Sequence, residues 1–66
     1  MSEIVLNGEA RSIAAGTVSE LLEECKLGGK RVAVELNREI VPRDRYGATA
    51  IHSGDSIEIV HFVGGG

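Results

Sequence analysis

A chain of 66 residues, 42% hydrophobic but with one Tyr, one Phe and no Trp, has room for one domain around one small core. Its formal net charge of −3, from ten acidic and seven basic residues spread along the chain, argues against the clustered basic face that nucleic-acid phosphates require. The single cysteine, Cys25, excludes an internal disulfide, a Cys-x-x-Cys redox pair and a thiolate set for zinc or an iron–sulfur cluster, which fits a reducing cytoplasm. The opening MSEIVLNGEAR holds an acidic Glu3 and an apolar run of only three residues, too short for the apolar segment of a signal peptide or for a membrane span. The expected location is therefore cytoplasmic.

In chain order, residues 3–7 read as a short strand. Asn7-Gly8 follows as a two-residue hairpin turn, because both positions tolerate positive φ, and residues 9–13 form the returning strand. Thr17-Val-Ser-Glu20 is a Thr-x-x-Glu capping box. Behind it Val18, Leu21, Leu22 and Cys25 recur at i, i+3, i+4 and i+7, which predicts a helix over residues 18–26 that ends at Gly28-Gly29. The other helical face, with Ser19, Glu20, Glu23 and Glu24, reads as solvated surface.

Residues 31–36 alternate strictly, with Val32, Val34 and Leu36 on one side and Arg31, Ala33 and Glu35 on the other, as in a strand with one buried face. Asn37-Arg-Glu turns the chain into Ile40-Val41. Pro42 lacks the N–H that a central strand needs, so this short strand belongs at an edge. Residues 43–53 show no clean period and read as a loop or short helical turn anchored by Tyr46 and Ile51. Gly54-Asp55 leads into a last strand over residues 56–63, with Ile57 and Ile59 on the inward parity and Glu58, Val60 and Phe62 on the other. Hairpin, helix, strand, short strand and final strand make an α+β arrangement. The compact solution is a β-grasp, a mixed sheet of four to five strands with one main helix packed on one face.

The β-grasp domain is expected to span residues 1–63, with residues 64–66 as a flexible tail. Gly64, Gly65 and Gly66 each cost about 1–2 kcal/mol of backbone entropy to order and bring no side chain to offset it. At the end of this thin arm stands the α-carboxylate of Gly66. A carboxylate is a poor electrophile, but once joined to AMP at the expense of ATP it carries a good leaving group that a nucleophile can replace. Without Cβ atoms the arm can enter a narrow tunnel.

LNGE, GTVSELL, VAVELNREIVPRDRY, GDSIEIVHFV and the closing Gly65-Gly66 together resemble the ThiS-type sulfur carrier proteins of thiamine biosynthesis, over nearly the whole length of the chain. The VAVELN…IVPR segment and the free diglycine are the most specific parts. The resemblance implies a ubiquitin-like protein whose terminal glycine is adenylated by a ThiF-like adenylyltransferase. A persulfide sulfur, drawn from cysteine through a desulfurase, then converts the carboxylate to a thiocarboxylate, and thiazole synthase takes that sulfur. Carried onto this sequence, Gly66 is the acceptor, Gly65 its partner and Gly64 a further small residue of the arm. Two departures stand out: Tyr46 occupies a place where many members have tryptophan, and the third glycine lengthens the arm.

If one sheet face packs on the helix, Val60 and Phe62 lie on the open face, with Val5 and Ala33 on the same parity, as a patch for partner docking. Cys25 completes the apolar helical stripe and reads as a core residue. His52 and His61 have no Cys or carboxylate at ligand spacing, so no metal is expected. Asp55 reads as a turn residue. No Ser or Thr shows a nucleophile motif with a base and an orienter, so the chain is expected to be a protein co-substrate of other enzymes, with no cofactor of its own. Two rival chemistries share the diglycine end: the small sulfur carrier subunit of molybdopterin synthase, and a ubiquitin-like modifier that acylates lysines. A plain β-grasp interaction module is the third alternative.

Overall fold

The computed structural model describes residues 1–62 of the chain. Strand β1 (Ser2–Leu6) turns back through Asn7 and Gly8, at φ 50° and 84°, into β2 (Glu9–Ile13), the left-handed geometry that a two-residue hairpin demands. Helix α1 (Val18–Glu24) follows, then β3 (Val32–Leu36), β4 (Glu39–Val41), a 3₁₀ segment (Arg43–Ala48) and β5 (Ser56–His61). The five strands form one sheet in the order β2-β1-β5-β3-β4. The β1–β5 pair is parallel and the other three are antiparallel, so the sheet is mixed, as expected for a β-grasp.

Strand parity decides which face closes. Ile4 and Leu6 of β1, Ile13 of β2, Val34 of β3, Val41 of β4 and Ile57 and Ile59 of β5 are buried on one side, and Val18, Leu21 and Leu22 of α1 pack onto them. Cys25, Leu27, Val32, Leu36 and Tyr46 fill the margin, half-buried. The segment that lacks a period supplies Ile51 to the core and ties itself to the helix start, with Val18 N–H donating to the Thr49 carbonyl and Ile51 N–H to the Gly16 carbonyl, both at 3.0 Å. β4 lies at the sheet edge, consistent with Pro42 directly after it.

Several boundaries differ from the sequence reading. β1 and β3 each sit within a residue of expectation, and β5 ends at His61; Val63, which the sequence places in that strand, lies outside the described residues. The helix ends at Glu24, short of the expected Lys26 and well short of Gly28-Gly29. Lys26 itself takes the left-handed conformation at φ 63°, its N–H donating to the Glu23 carbonyl at 3.0 Å while Leu27 N–H donates to the Leu22 carbonyl at 2.7 Å. This is the Schellman pattern, and Leu27 packs against the core cluster to which Leu22 belongs. Half-buried Leu27 fixes the stop ahead of the glycines.

The acidic face of the helix also does more than meet solvent. Thr17 Oγ1 accepts the Glu20 N–H at 3.2 Å, as a capping residue should, and the Glu20 carboxylate accepts the Gly16 N–H at 2.8 Å. The Glu24 carboxylate reaches back to the Ala14 and Ala15 N–H groups at 3.2 and 3.0 Å. In the connection from β2 to α1, these two carboxylates satisfy the N–H groups of Ala14, Ala15 and Gly16.

Candidate functional site

β5 is the last element of the described chain and lies between β1 and β3 in the sheet; its start pairs with β1 at Ser56 and Ile57, and its end pairs with β3, His61 opposite Val32. Both hairpin turns are fastened to this strand by asparagines. Asn7 Oδ1 accepts the Ile59 N–H at 2.8 Å and its Nδ2 donates to the Ile59 carbonyl at 3.3 Å. Asn37 Oδ1 accepts the Ser56 N–H at 2.9 Å, and its Nδ2 donates to Asp55 Oδ1 at 3.1 Å. Asp55 Oδ2 accepts the His52 N–H at 2.8 Å, which makes it the turn residue expected. β5 is thereby held by main-chain ladders and at two points by side-chain amides.

The face of the sheet away from α1 is open. Val60 and Phe62 project there, 54% and 57% exposed, and Ala33 pairs directly with Val60. Val5 also shows on this face, 39% exposed, but its register partner is Ser56. Four residue steps along β5 lead from Ser56 to Val60, about 13 Å along a strand, so Val5 sits at the other end of the face from the Val60–Phe62 pair. Ile40, 70% exposed, is a further apolar residue of this face: it pairs with Glu35, while the next residue, Val41, pairs with Val34 and faces inward. The signal for it was the same alternation, read one strand further. Gly64, Gly65 and Gly66 lie outside the described residues.

Where β3 begins, Lys30, Arg31 and Arg43 line a cavity of about 210 Å³ together with Val32, Tyr46 and Phe62. Tyr46 donates its hydroxyl to the Val32 carbonyl at 3.3 Å, which anchors the 3₁₀ segment beside β3. The Phe62 N–H donates to the Arg31 carbonyl at 3.1 Å, so the ladder of β3 and β5 continues one step past the strand ends. Cys25 is half-buried against the core, and His52 and His61 are exposed. Among the described residues no group of three or more His, Cys, Asp or Glu is placed to hold a metal ion, and no helix is long and apolar enough to cross a membrane.

The model of the ThiS family matches residues 4–66. The chain belongs to the ThiS family. A sulfur carrier protein ThiS from Bacillus subtilis (strain 168) is 49% identical over 51 residues, 77% of each chain. The crystal structure of the thiamine biosynthesis protein ThiS from Geobacter metallireducens superposes with a TM-score of 0.81 at 34% identity, covering 97% of this chain and 99% of that one. A thiazole synthase from Paramagnetospirillum magneticum is 48% identical over 65 residues, which are 97% of this chain and 20% of that protein. This ThiS-family chain thus spans about a fifth of the length of the thiazole synthases it matches.

Proposed function

We propose that this chain is a sulfur carrier for thiamine biosynthesis and acts as a protein co-substrate. The α-carboxylate of Gly66 is adenylated with ATP by a ThiF-like adenylyltransferase in the cytoplasm. The outer sulfur of a persulfide, drawn from cysteine by a desulfurase, then displaces AMP to form an acyl disulfide on Gly66, and a thiol reduces its S–S bond to leave a thiocarboxylate. Thiazole synthase removes that sulfur for the thiazole ring. The observation that carries this reading is the family match, which runs to residue 66 and so includes Gly64, Gly65 and Gly66. The two thiazole synthases that contain a stretch like this chain support the last step, since fusing a carrier to its acceptor enzyme raises their effective concentration.

The geometry favours delivery by a rigid body with a thin arm. Four residues follow Phe62, a reach of at most about 14 Å at full extension, so the domain must dock close to the catalyst it serves. Val60 and Phe62 stand at the root of that arm. Burying both is worth about 3–6 kcal/mol, and ordering three glycines costs about as much, which leaves the weak, reversible binding a carrier needs when it visits several enzymes.

The deciding experiment incubates the purified protein with ATP, the adenylyltransferase and a persulfide donor and reads the intact mass. Replacement of one oxygen by sulfur is expected. An unchanged mass, or covalent ladders on other proteins, overturns the carrier reading. Val60→Asp and Phe62→Asp should fold yet slow adenylation about tenfold or more each, measured by carrier-dependent pyrophosphate exchange at limiting carrier concentration.

A further inference from the structure

Asn7 completes the sheet with its side chain. The parallel ladder of β1 on β5 covers the register pairs Val5–Ser56 and Leu6–Ile57, and the Asn7 N–H carries it one bond further, donating to the Ile57 carbonyl at 2.9 Å. There β1 turns off into the hairpin, and its main chain offers nothing to the N–H and carbonyl of Ile59. The Asn7 amide supplies both partners: Oδ1 accepts the Ile59 N–H at 2.8 Å and Nδ2 donates to the Ile59 carbonyl at 3.3 Å. A primary amide presents the same acceptor and donor as a peptide group, so it stands in for the peptide that a longer β1 would have placed there. A carboxylate has the acceptor and lacks the donor.

The same residue occupies the setting in which an asparagine amide is least durable. Gly8 follows it, and a residue without Cβ does nothing to hinder its own nitrogen from attacking Asn7 Cγ. In that step the bond from Gly8 N to Cγ forms and the bond from Cγ to Nδ2 breaks. The Gly8 amide proton leaves with Nδ2 as ammonia, and a cyclic imide remains. Water then opens the imide to aspartate or to its β-linked isomer, which carries an extra methylene in the main chain. Both turn residues are exposed, and no heavy atom lies within 4 Å of the place a Cβ would take on Gly8, so water reaches the turn freely.

We infer that Asn7-Gly8 is a self-modification site latched by β5. While Ile59 holds both ends of the amide, Cγ is kept off the Gly8 nitrogen, and the reaction waits for the end of β1 to leave β5. The product cannot latch again. Its oxygen faces the Ile59 carbonyl oxygen where a donor stood, and the β-linked isomer lengthens a hairpin loop whose length sets the strand register. Each opening that ends in reaction is therefore irreversible, and residue 7 accumulates a chemical record of the time the chain spends open. Asn37 is the internal contrast: its Oδ1 likewise accepts a β5 N–H, that of Ser56 at 2.9 Å, but Arg38 follows it and its side chain obstructs the attack. The reactants are the chain and water, so the inference is independent of the carrier reading.

The test incubates the full chain at neutral pH in buffer and, separately, in urea that unfolds it, and follows conversion of Asn7 and Asn37 by peptide mapping in a mass spectrometer. Asn7 is expected to convert at least about tenfold more slowly in buffer than in urea, and in urea to outpace Asn37. Ile57→Ala leaves Asn7-Gly8 intact but loosens β5, and should bring the rate in buffer to within about threefold of the rate in urea. Asn7→Asp installs the first product directly and should lower the urea midpoint with the slope unchanged, or prevent folding. Equal rates for the parental Asn7 in buffer and urea, or no acceleration in Ile57→Ala, would overturn the latch. A parental midpoint in Asn7→Asp would overturn its one-way character.

Discussion

At Asn7 the backbone enters the left-handed region, and the side chain then bonds both the N–H and the carbonyl of Ile59, 52 residues away. The turn role was legible, because Asn-Gly between two strand patterns has one common use. The clamp was not, since no local signal announces a partner at that separation; the same holds for Glu24, which reads as any solvated acid in the sequence yet accepts the Ala14 and Ala15 N–H groups. Asn7→Ala should lower stability by about 2 kcal/mol in urea denaturation, because it removes two part-buried hydrogen bonds and a residue suited to positive φ. Asn37→Ala removes two exposed bonds at the other hairpin and should cost about 1 kcal/mol. Equal losses at the two sites would mean that the depth of the bonds to β5 does not matter.

Helix α1 shows what period and caps can and cannot reveal about an element. Its existence and buried stripe follow from Val18, Leu21 and Leu22, and its start from Thr17, all of which the structure places as read. Its end was misjudged because two glycines are the louder stop signal, whereas the actual stop depends on where Leu27 finds apolar surface. The cost of that solution is a lysine at φ 63°, a conformation unfavourable by about 1–2 kcal/mol for a residue with a Cβ. Lys26→Gly should relieve most of it, offset by the greater freedom of glycine in the unfolded chain, for a net gain of about 1 kcal/mol seen as a higher urea midpoint with unchanged slope. The open face behaved similarly: parity placed Val60, Phe62 and Val5 on it, but only the pairing of β1 with β5 reveals that Val5 stands at the far end.

The whole molecule closes around a few side chains, and its first and last strands pair in parallel, the end of β1 beside the start of β5. The β-grasp class could be inferred from the order of elements, while the position of β5 at the centre came from pairing that periodicity does not encode. A domain of this size has about 3–5 kcal/mol of stability to draw on. Ile57, fully buried on β5, supplies a large share: Ile57→Ala should cost about 3–4 kcal/mol and leave a substantial fraction of the chain unfolded at 25 °C, read by circular dichroism. The glycine arm is untouched by that change. If docking of the folded face is what brings the arm to the adenylating centre, thiocarboxylate formation at limiting enzyme must fall with the folded fraction. Adding Lys26→Gly, on a different element, should raise the folded-to-unfolded ratio about fivefold and restore loading in parallel. Loading that stays at the parental rate while the ellipticity is lost would mean that the activating enzyme recognises the arm alone, with no role for the domain that carries it.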